Sequence, residues 1–274
     1  MSDTAEEKRI GVTVTVLVEN HARDEGLASE HGLSLWIETP GGTILFDTGG
    51  SDAFARNART LGIDLARADL IVLSHGHYDH VGGLRTALDA CDAPVLVGRG
   101  LTIPKFAESD GGLRGIGMDR ETVAAAGERL QVIDSRREIL PGVEVLPAAP
   151  LESAPPSDNA RLLRQDDGAA ERDPFEEELS LLIHARKGPV LVTGCSHRGI
   201  ANIHRSAQTP VAAIVGGLHL MHESEETIRT VAREISEAQE FWIGHCTGEP
   251  GLLLIEEELP GRLHGIPAGT RAKF

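Results

Sequence analysis

Aromatic residues are scarce: Phe, Trp and Tyr together make up 3% of the 274 residues. A platform that stacks nucleic-acid bases needs several exposed rings, so none is expected here. Basic charge is also in deficit, with 26 Lys and Arg against 42 Asp and Glu, a net charge of −16. That balance repels phosphate backbones at long range and argues against a nucleic-acid partner. A small anion is not excluded, because bound cations can outweigh a distant negative surface. The three cysteines, Cys91, Cys195 and Cys246, form neither a CxxC pair nor an even-numbered framework. A disulfide scaffold is excluded, and a reducing compartment fits best. No apolar run approaches the length that spans a bilayer. Residues 1–9 are polar and lack the apolar stretch of a signal peptide. The expectation is a soluble, cytoplasmic protein with neither a membrane nor a nucleic-acid partner; oligomeric state is left open.

Hydrophobic residues reach 41%, an ordinary globular share. Residues 10–18 alternate as a strand should. A charged loop follows over 19–32, then two strands, 33–38 and 43–46, joined at Pro40-Gly41-Gly42. Ser51 or Asp52 can cap a helix running toward Leu61. Further strands are expected at 69–73, 94–97, 130–133, 143–146, 179–184, 189–193, 211–215 and 240–243. Helices are expected at 82–90, 119–126 and 223–237. The stretch 102–117 reads as Gly-rich and irregular, and 147–174 as a surface excursion without period. Strands with helices in both halves suggest a single α/β (α+β) layered domain over 1–274.

The most specific pattern is His75-x-His77-x-Asp79-His80, directly after an apolar run. In an extended segment residues two apart share a face, so His75 and His77 can address one ion. A turn at Tyr78 then lets Asp79 and His80 face a second position. Three imidazoles and a carboxylate within six residues are costly to desolvate without a cation, so a solvated His-rich loop is the weaker reading. Two sites need more ligands, since a catalytic zinc takes about three protein ligands plus water. His197, His219 and His245 each follow an apolar strand, where strand ends can converge on one mouth.

These segments identify the chain as similar to the metallo-β-lactamase-fold superfamily. Within it, the chain resembles the branch that includes dihydropterin-methyl-ribofuranosylaminobenzene-phosphate synthase, an enzyme of methanopterin-type cofactor synthesis. The resemblance rests on Glu30-His31-Gly32-Leu33-Ser34, Leu45-Phe46-Asp47-Thr48-Gly49 and Leu73-Ser74-His75-Gly76-His77-Tyr78-Asp79-His80-Val81-Gly82-Gly83. It continues through Thr193-Gly194-Cys195-Ser196-His197-Arg198-Gly199, Gly217-Leu218-His219-Leu220 and Gly244-His245-Cys246-Thr247-Gly248. It implies a four-layer αββα sandwich with the metals at one edge of the two sheets. By that pattern His75 and His77 hold the first metal, Asp79 and His80 the second, and His245 joins the second. Asp47 would orient the metal-binding loop by hydrogen bonds, although an Asp-Thr-Gly turn looks the same locally.

The chain departs from the family pattern between these anchors. Many members carry a histidine before a strand that ends in Gly-Asp, and that Asp bridges both metals. Residues 145–150 contain no histidine, and the later strand ends Gly194-Cys195, with His197 two positions on. His197 is therefore assigned as the third ligand of the first metal. Cys195 is either a thiolate at the bridging position or a small buried residue. His219 is open between ligand, general acid and oxyanion donor. Glu30 and His31, in a loop that often overhangs the site in this family, are candidate substrate contacts, or else a polar surface turn.

The resulting expectation is a hydrolase or related transferase with two divalent ions, zinc first and manganese or iron as alternatives. Ions about 3.5–4 Å apart would share a hydroxide that attacks a carbonyl or phosphorus centre, with Asp79 guiding the proton. The substrate would be a small polar ester, lactone or phosphorylated compound, a pterin or phosphoribosyl compound if the branch resemblance holds. A non-catalytic metal or redox sensor of the same fold is the competing reading. A di-iron redox enzyme, a nuclease and a secreted β-lactamase are disfavoured.

Overall fold

A computed structural model describes residues 9–274; the polar N-terminus, apart from residue 9, lies outside the described residues. The first sheet has seven strands, in the order Arg271–Lys273, Thr13–Val18, Ser34–Thr39, Gly42–Phe46, Leu70–Val72, Val95–Gly98 and Leu130–Ile133. The second also has seven: Leu263–Gly265, Glu240–Gly244, Ala213–Gly217, Gly188–Val192, Ser180–Ala185, Val143–Leu146 and Arg137–Leu140.

Strand alternation sorts the side chains into layers. Leu35, Ile37, Ile44 and Phe46 face inward, where they meet Val145, Leu181, Val190 and Val215 of the second sheet in one buried cluster. Their neighbours Trp36 and Leu45 face outward onto Phe54 and Ala58 of helix Ala53–Thr60 and Leu84 of helix Leu84–Ala90. On the far side, Leu182, Leu191 and Ile214 are covered by Ile203, Ile228 and Ile255 from helices Ile200–Ser206, Glu225–Glu234 and Gly248–Glu258. The architecture is therefore the expected αββα sandwich. Among the described residues no helix is long and apolar enough to cross a membrane.

The hairpin of Ser34–Thr39 and Gly42–Phe46 closes over Pro40-Gly41, with Thr39 opposite Gly42. Ser51 supplies the helix-capping oxygen, its Oγ accepting from Ala53 N at 3.1 Å, while the Asp52 side chain caps nothing. Helix Leu84–Ala90 starts two residues later than expected. Gly82 and Gly83 pack so closely on the turn after Phe46 that a Cβ on either would meet the backbone of Gly50 or Thr48.

Two stretches differ from expectation. Residues 102–117 are not irregular: Lys105–Ser109 and Gly112–Gly115 form a hairpin. The segment 147–174 pairs with it, Leu162–Arg164 lying against Lys105–Ser109 and Glu171–Arg172 against Leu162–Arg164. This four-stranded sheet has its own small core of Ala107, Ile116, Leu162 and Phe175. It is pinned by the fully buried Lys105, whose Nζ lies 2.6 Å from both Asp173 Oδ2 and Glu177 Oε1. Helices Ile200–Ser206 and Gly248–Glu258 and strands Leu263–Gly265 and Arg271–Lys273 were not anticipated.

Candidate metal centre

Parallel strand pairing brings the chemically active segments to one level. Phe46 pairs with Val72, so Asp47 and Ser74 leave their strands side by side. Val192 pairs with Val215, and Gly217 with Gly244, which aligns the segments leading to Cys195, His197, His219 and His245. All lie beyond the carboxyl ends of parallel strands, where open α/β sheets place ligands. The backbone is strained here: of six non-glycine residues with positive φ among the described residues, Asp47, Phe175, Ser196, His219 and His245 belong to this region. Such conformations persist where the surroundings over-determine them, typically at functional sites.

The first group is His75, His77 and His197. Their ring centroids lie 4.7–4.8 Å apart, all three are buried, and none of their Nε2 atoms has a hydrogen-bond partner. Burial pushes His77 down to about 3 and His75 and His197 well below the usual imidazole range, so all three are neutral donors. The second group is Asp79, His80 and His245. His80 Nε2 lies 3.1 Å from His245 Nε2 and 3.8 Å from Asp79 Oδ2, and His245 Nε2 lies 3.4 Å from that oxygen. Burial opposes charge on His80, yet Asp47 and Asp79 outweigh it and push the ring up to about 9. That corner is built for positive charge.

Oxygen partners on the outer side fix which nitrogen of each ring faces inward. His80 Nδ1 donates to Asp47 Oδ2 at 2.7 Å. Ser74 Oγ donates to the same oxygen at 2.7 Å and therefore accepts from His75 Nδ1 at 2.9 Å. Asn159 Oδ1 accepts from His197 Nδ1, and Asn20 Oδ1 from His245 Nδ1, each at 2.9 Å. All four rings thus turn an Nε2 lone pair toward the centre. Lone pairs of His80 and His245 at 3.1 Å repel one another unless a cation or proton lies between them. The donor set therefore fits a divalent metal.

Cys195 joins both groups. Its sulfur lies 3.1 Å from His80 Nε2, and ligand atoms of His75, Cys195 and His197, like those of His80, Cys195 and His245, fall within 4.8 Å of one another. His31 Nε2 approaches Asp79 Oδ2 at 3.2 Å from the rim. Glu30, in contrast, is turned away from the pocket. Its carboxylate accepts from Gly50 N at 2.9 Å, Ser51 N at 3.1 Å and Ser51 Oγ at 2.5 Å, tying the loop to the helix start. Of the two roles open for Glu30, these bonds support the structural one. His219 lines the pocket with its Nε2 3.7 Å from Asp158 Oδ2. Burial opposes its charge, but Asp158 and the Cys246 sulfur push it up to about 10.

Sequence reasoning missed Asn20, Asn159 and Glu178. Glu178 is buried and accepts from His197 N at 2.6 Å and Arg198 N at 2.7 Å; burial pushes it up to about 7 despite those amides. A signal was present: Glu177-Glu178 runs straight into the apolar strand at Ser180–Ala185, an abrupt place for two carboxylates.

Comparison with known proteins gives a consistent result. Residues 30–207 match the family model of the metallo-beta-lactamase superfamily. An uncharacterised protein of Methanocaldococcus jannaschii is 30% identical, covering 89% of this chain and 94% of its own length. The 7,8-dihydropterin-6-methyl-4-(beta-D-ribofuranosyl)-aminobenzene-5'-phosphate synthase of that organism is 26% identical, covering 96% of this chain and 97% of its own length. The crystal structure of a metal-dependent hydrolase of the beta-lactamase superfamily has a TM-score of 0.83 and 31% identity, covering 96% of this chain and 99% of that one.

Proposed function

The chain belongs to the metallo-beta-lactamase superfamily, and from that premise we propose that it is a metal-dependent hydrolase, or a transferase using the same centre. Two divalent ions are assigned, zinc first, with manganese and iron accepted by the same donors. His75, His77 and His197 would hold one; Asp79, His80 and His245 the other, with Cys195 between them. The observation that carries this reading is the outward anchoring of four Nδ1 atoms, which turns their Nε2 lone pairs inward. When bound, such ions act as Lewis acids that acidify water and stabilise charge developing on a substrate oxygen.

The chain's own groups supply the rest. Asp79, within 3.2 Å of His31 and 3.4 Å of His245, can take up the proton of the attacking water and pass it toward the rim. His219, braced by Asp158, faces the pocket and can donate to the oxygen that gains charge. Phe175 stacks on His197 with centroids 4.0 Å apart and excludes water from that side. The substrate is a small polar ester, lactone or phosphorylated molecule. Similarity to the pterin-phosphate synthase supports the phosphorylated class, a phosphoribosyl compound among them. Three buried free cysteines fit a cytoplasmic setting.

The test is metal uptake and turnover measured together. Protein offered Zn(II), Mn(II) or Fe(II) in turn is expected to bind two equivalents of its preferred ion. It should then turn over at least one member of a panel of lactones, phosphodiesters and thioesters, with His77→Ala abolishing the activity. Stoichiometric binding with no turnover anywhere on the panel would favour a sensor instead.

A further inference from the structure

The pocket leading to the metal centre has an inner cavity of about 130 Å³. That is less than half the roughly 300 Å³ at which drug-sized ligand sites begin. It takes a small reacting group, so the remainder of any substrate must extend along the outer wall. That wall carries two arginines, Arg114 and Arg161, and their situations differ. Arg161 is neutralised: Nε and one terminal nitrogen bond Asp158 at 2.6 and 2.8 Å. Arg114, on strand Gly112–Gly115, has no carboxylate within ion-pair distance among the described residues. Its guanidinium carbon instead sits 5.9 Å from the ring centroid of Tyr78, the chain's single tyrosine, which is 38% exposed at the pocket wall.

A cation–π contact with an aromatic face attracts a guanidinium without consuming its N–H donors. The planar fork therefore remains available, and it matches the two oxygens of a phosphate or carboxylate. The other acidic groups on the wall are already engaged, Asp158 by Arg161 and His219, Asp79 by His31 and His245. In a chain of net charge −16, a guanidinium without an anion at the pocket wall is a local feature that can hold a negatively charged substrate.

We propose that Tyr78 and Arg114 form an anion subsite that grips a non-reacting phosphate or carboxylate of the substrate while its reacting group enters the metal cavity. The proposal deepens the functional reading above and rests on it for the identity of the reacting end. Arg114 is exposed on a hairpin, so its replacement leaves the core intact.

The probes are phenyl phosphate, benzoate and neutral benzyl alcohol, titrated calorimetrically into zinc-loaded wild type, Arg114→Gln and Arg114→Lys. Arg114→Gln is expected to weaken the preferred anion at least ten-fold, with benzyl alcohol and zinc content unchanged. Arg114→Lys, a point charge without the fork, should restore only part of the affinity. Tighter binding of phenyl phosphate assigns the subsite to phosphate, and of benzoate to carboxylate. Equal affinity of wild type and Arg114→Gln for both anions, or no measurable binding to wild type, overturns the proposal. Metal uptake by wild type, measured alongside, separates the two readings. Arg114-dependent binding in wild type that takes up none of Zn(II), Mn(II) or Fe(II) leaves the subsite standing and removes the metal mechanism. Full metal loading and turnover with no Arg114 dependence does the reverse.

Discussion

Asn159 holds His197 at both ends: its Oδ1 meets the ring Nδ1 at 2.9 Å, and its Nδ2 donates to the His197 carbonyl at 2.8 Å. The second bond settles the orientation of the amide, and so which atom the imidazole sees. Asn159 belongs to the segment 147–174, and the adjacent Asp158 braces His219. Two consecutive residues of an outlying segment thus set the geometry of two histidines in the pocket.

From this, Asn159→Ala is expected to lower zinc affinity by about 10–100-fold, the usual effect of losing the partner that orients a ligating histidine. Competition with a chromophoric chelator measures it. Cobalt substitution should show an altered ligand-field spectrum, which a variant that merely loosens the surface would not produce. Unchanged affinity and spectrum would mean that packing against Phe175 alone holds the ring.

The buried Lys105 gives a stability prediction. Its ammonium is flanked by Asp173 and Glu177, all three nearly inaccessible to solvent. Lys105→Met leaves two carboxylates without their counter-ion, which costs about 3–5 kcal/mol in a buried network. Urea unfolding should show the loss. Adding Asp173→Asn and Glu177→Gln should return much of it, since the penalty arises from unpaired charge rather than lost packing. No recovery in the triple variant would place the cost in packing.

How far these features were legible follows from their range along the chain. His75, His77, Asp79 and His80 fall within six residues, and each later histidine stands just past an apolar strand; local pattern suffices to find them. Asn20 and Asn159 are different. Each acts on a histidine far away in sequence, 225 and 38 residues respectively, and no local periodicity marks an amide that will meet an imidazole. The hairpin at Lys105–Ser109 and Gly112–Gly115 was obscured for another reason. Its Asp110-Gly111 turn signal is present, but Gly112–Gly115 is exposed throughout and shows no apolar alternation. Glu30 was open in sequence between a substrate contact and a polar turn; two backbone amides and a hydroxyl, which no local pattern marks, engage its carboxylate.

A pH prediction comes from Glu144, remote from the metal centre. Hydrogen bonds from Arg136, with a further one from His184, hold its carboxyl at about 2 against burial, compared with an ordinary 4.5. A carboxylate depressed on folding contributes stability above its unfolded value and loses that contribution as pH falls through the folded one. The stability gap between wild type and Glu144→Gln should therefore be full above pH 4.5 and shrink between pH 4.5 and 2. Paired urea midpoints at pH 6 and pH 3 read this difference, with other titrating groups common to both proteins. A gap that widens toward pH 3 would contradict the assignment.

His219 stands beside the first ligand group, its ring centroid 4.2 Å from that of His197, and the distinction between donor and ligand is a matter of what its loss removes. If it donates to the oxygen gaining charge, His219→Gln should lower kcat by about 10²–10³-fold, as loss of an oxyanion donor does, with KM and metal content little changed. If it ligates, stoichiometry or affinity of the metal must fall with it. The brace at Asp158 sharpens the comparison. Asp158→Asn leaves the ring in place but removes the carboxylate beside Nε2, so under the donor reading it should reproduce part of the kcat loss with full metal loading. A variant pair in which both lose metal in parallel would move His219 into the coordination sphere and leave the proton donor to be sought at His31.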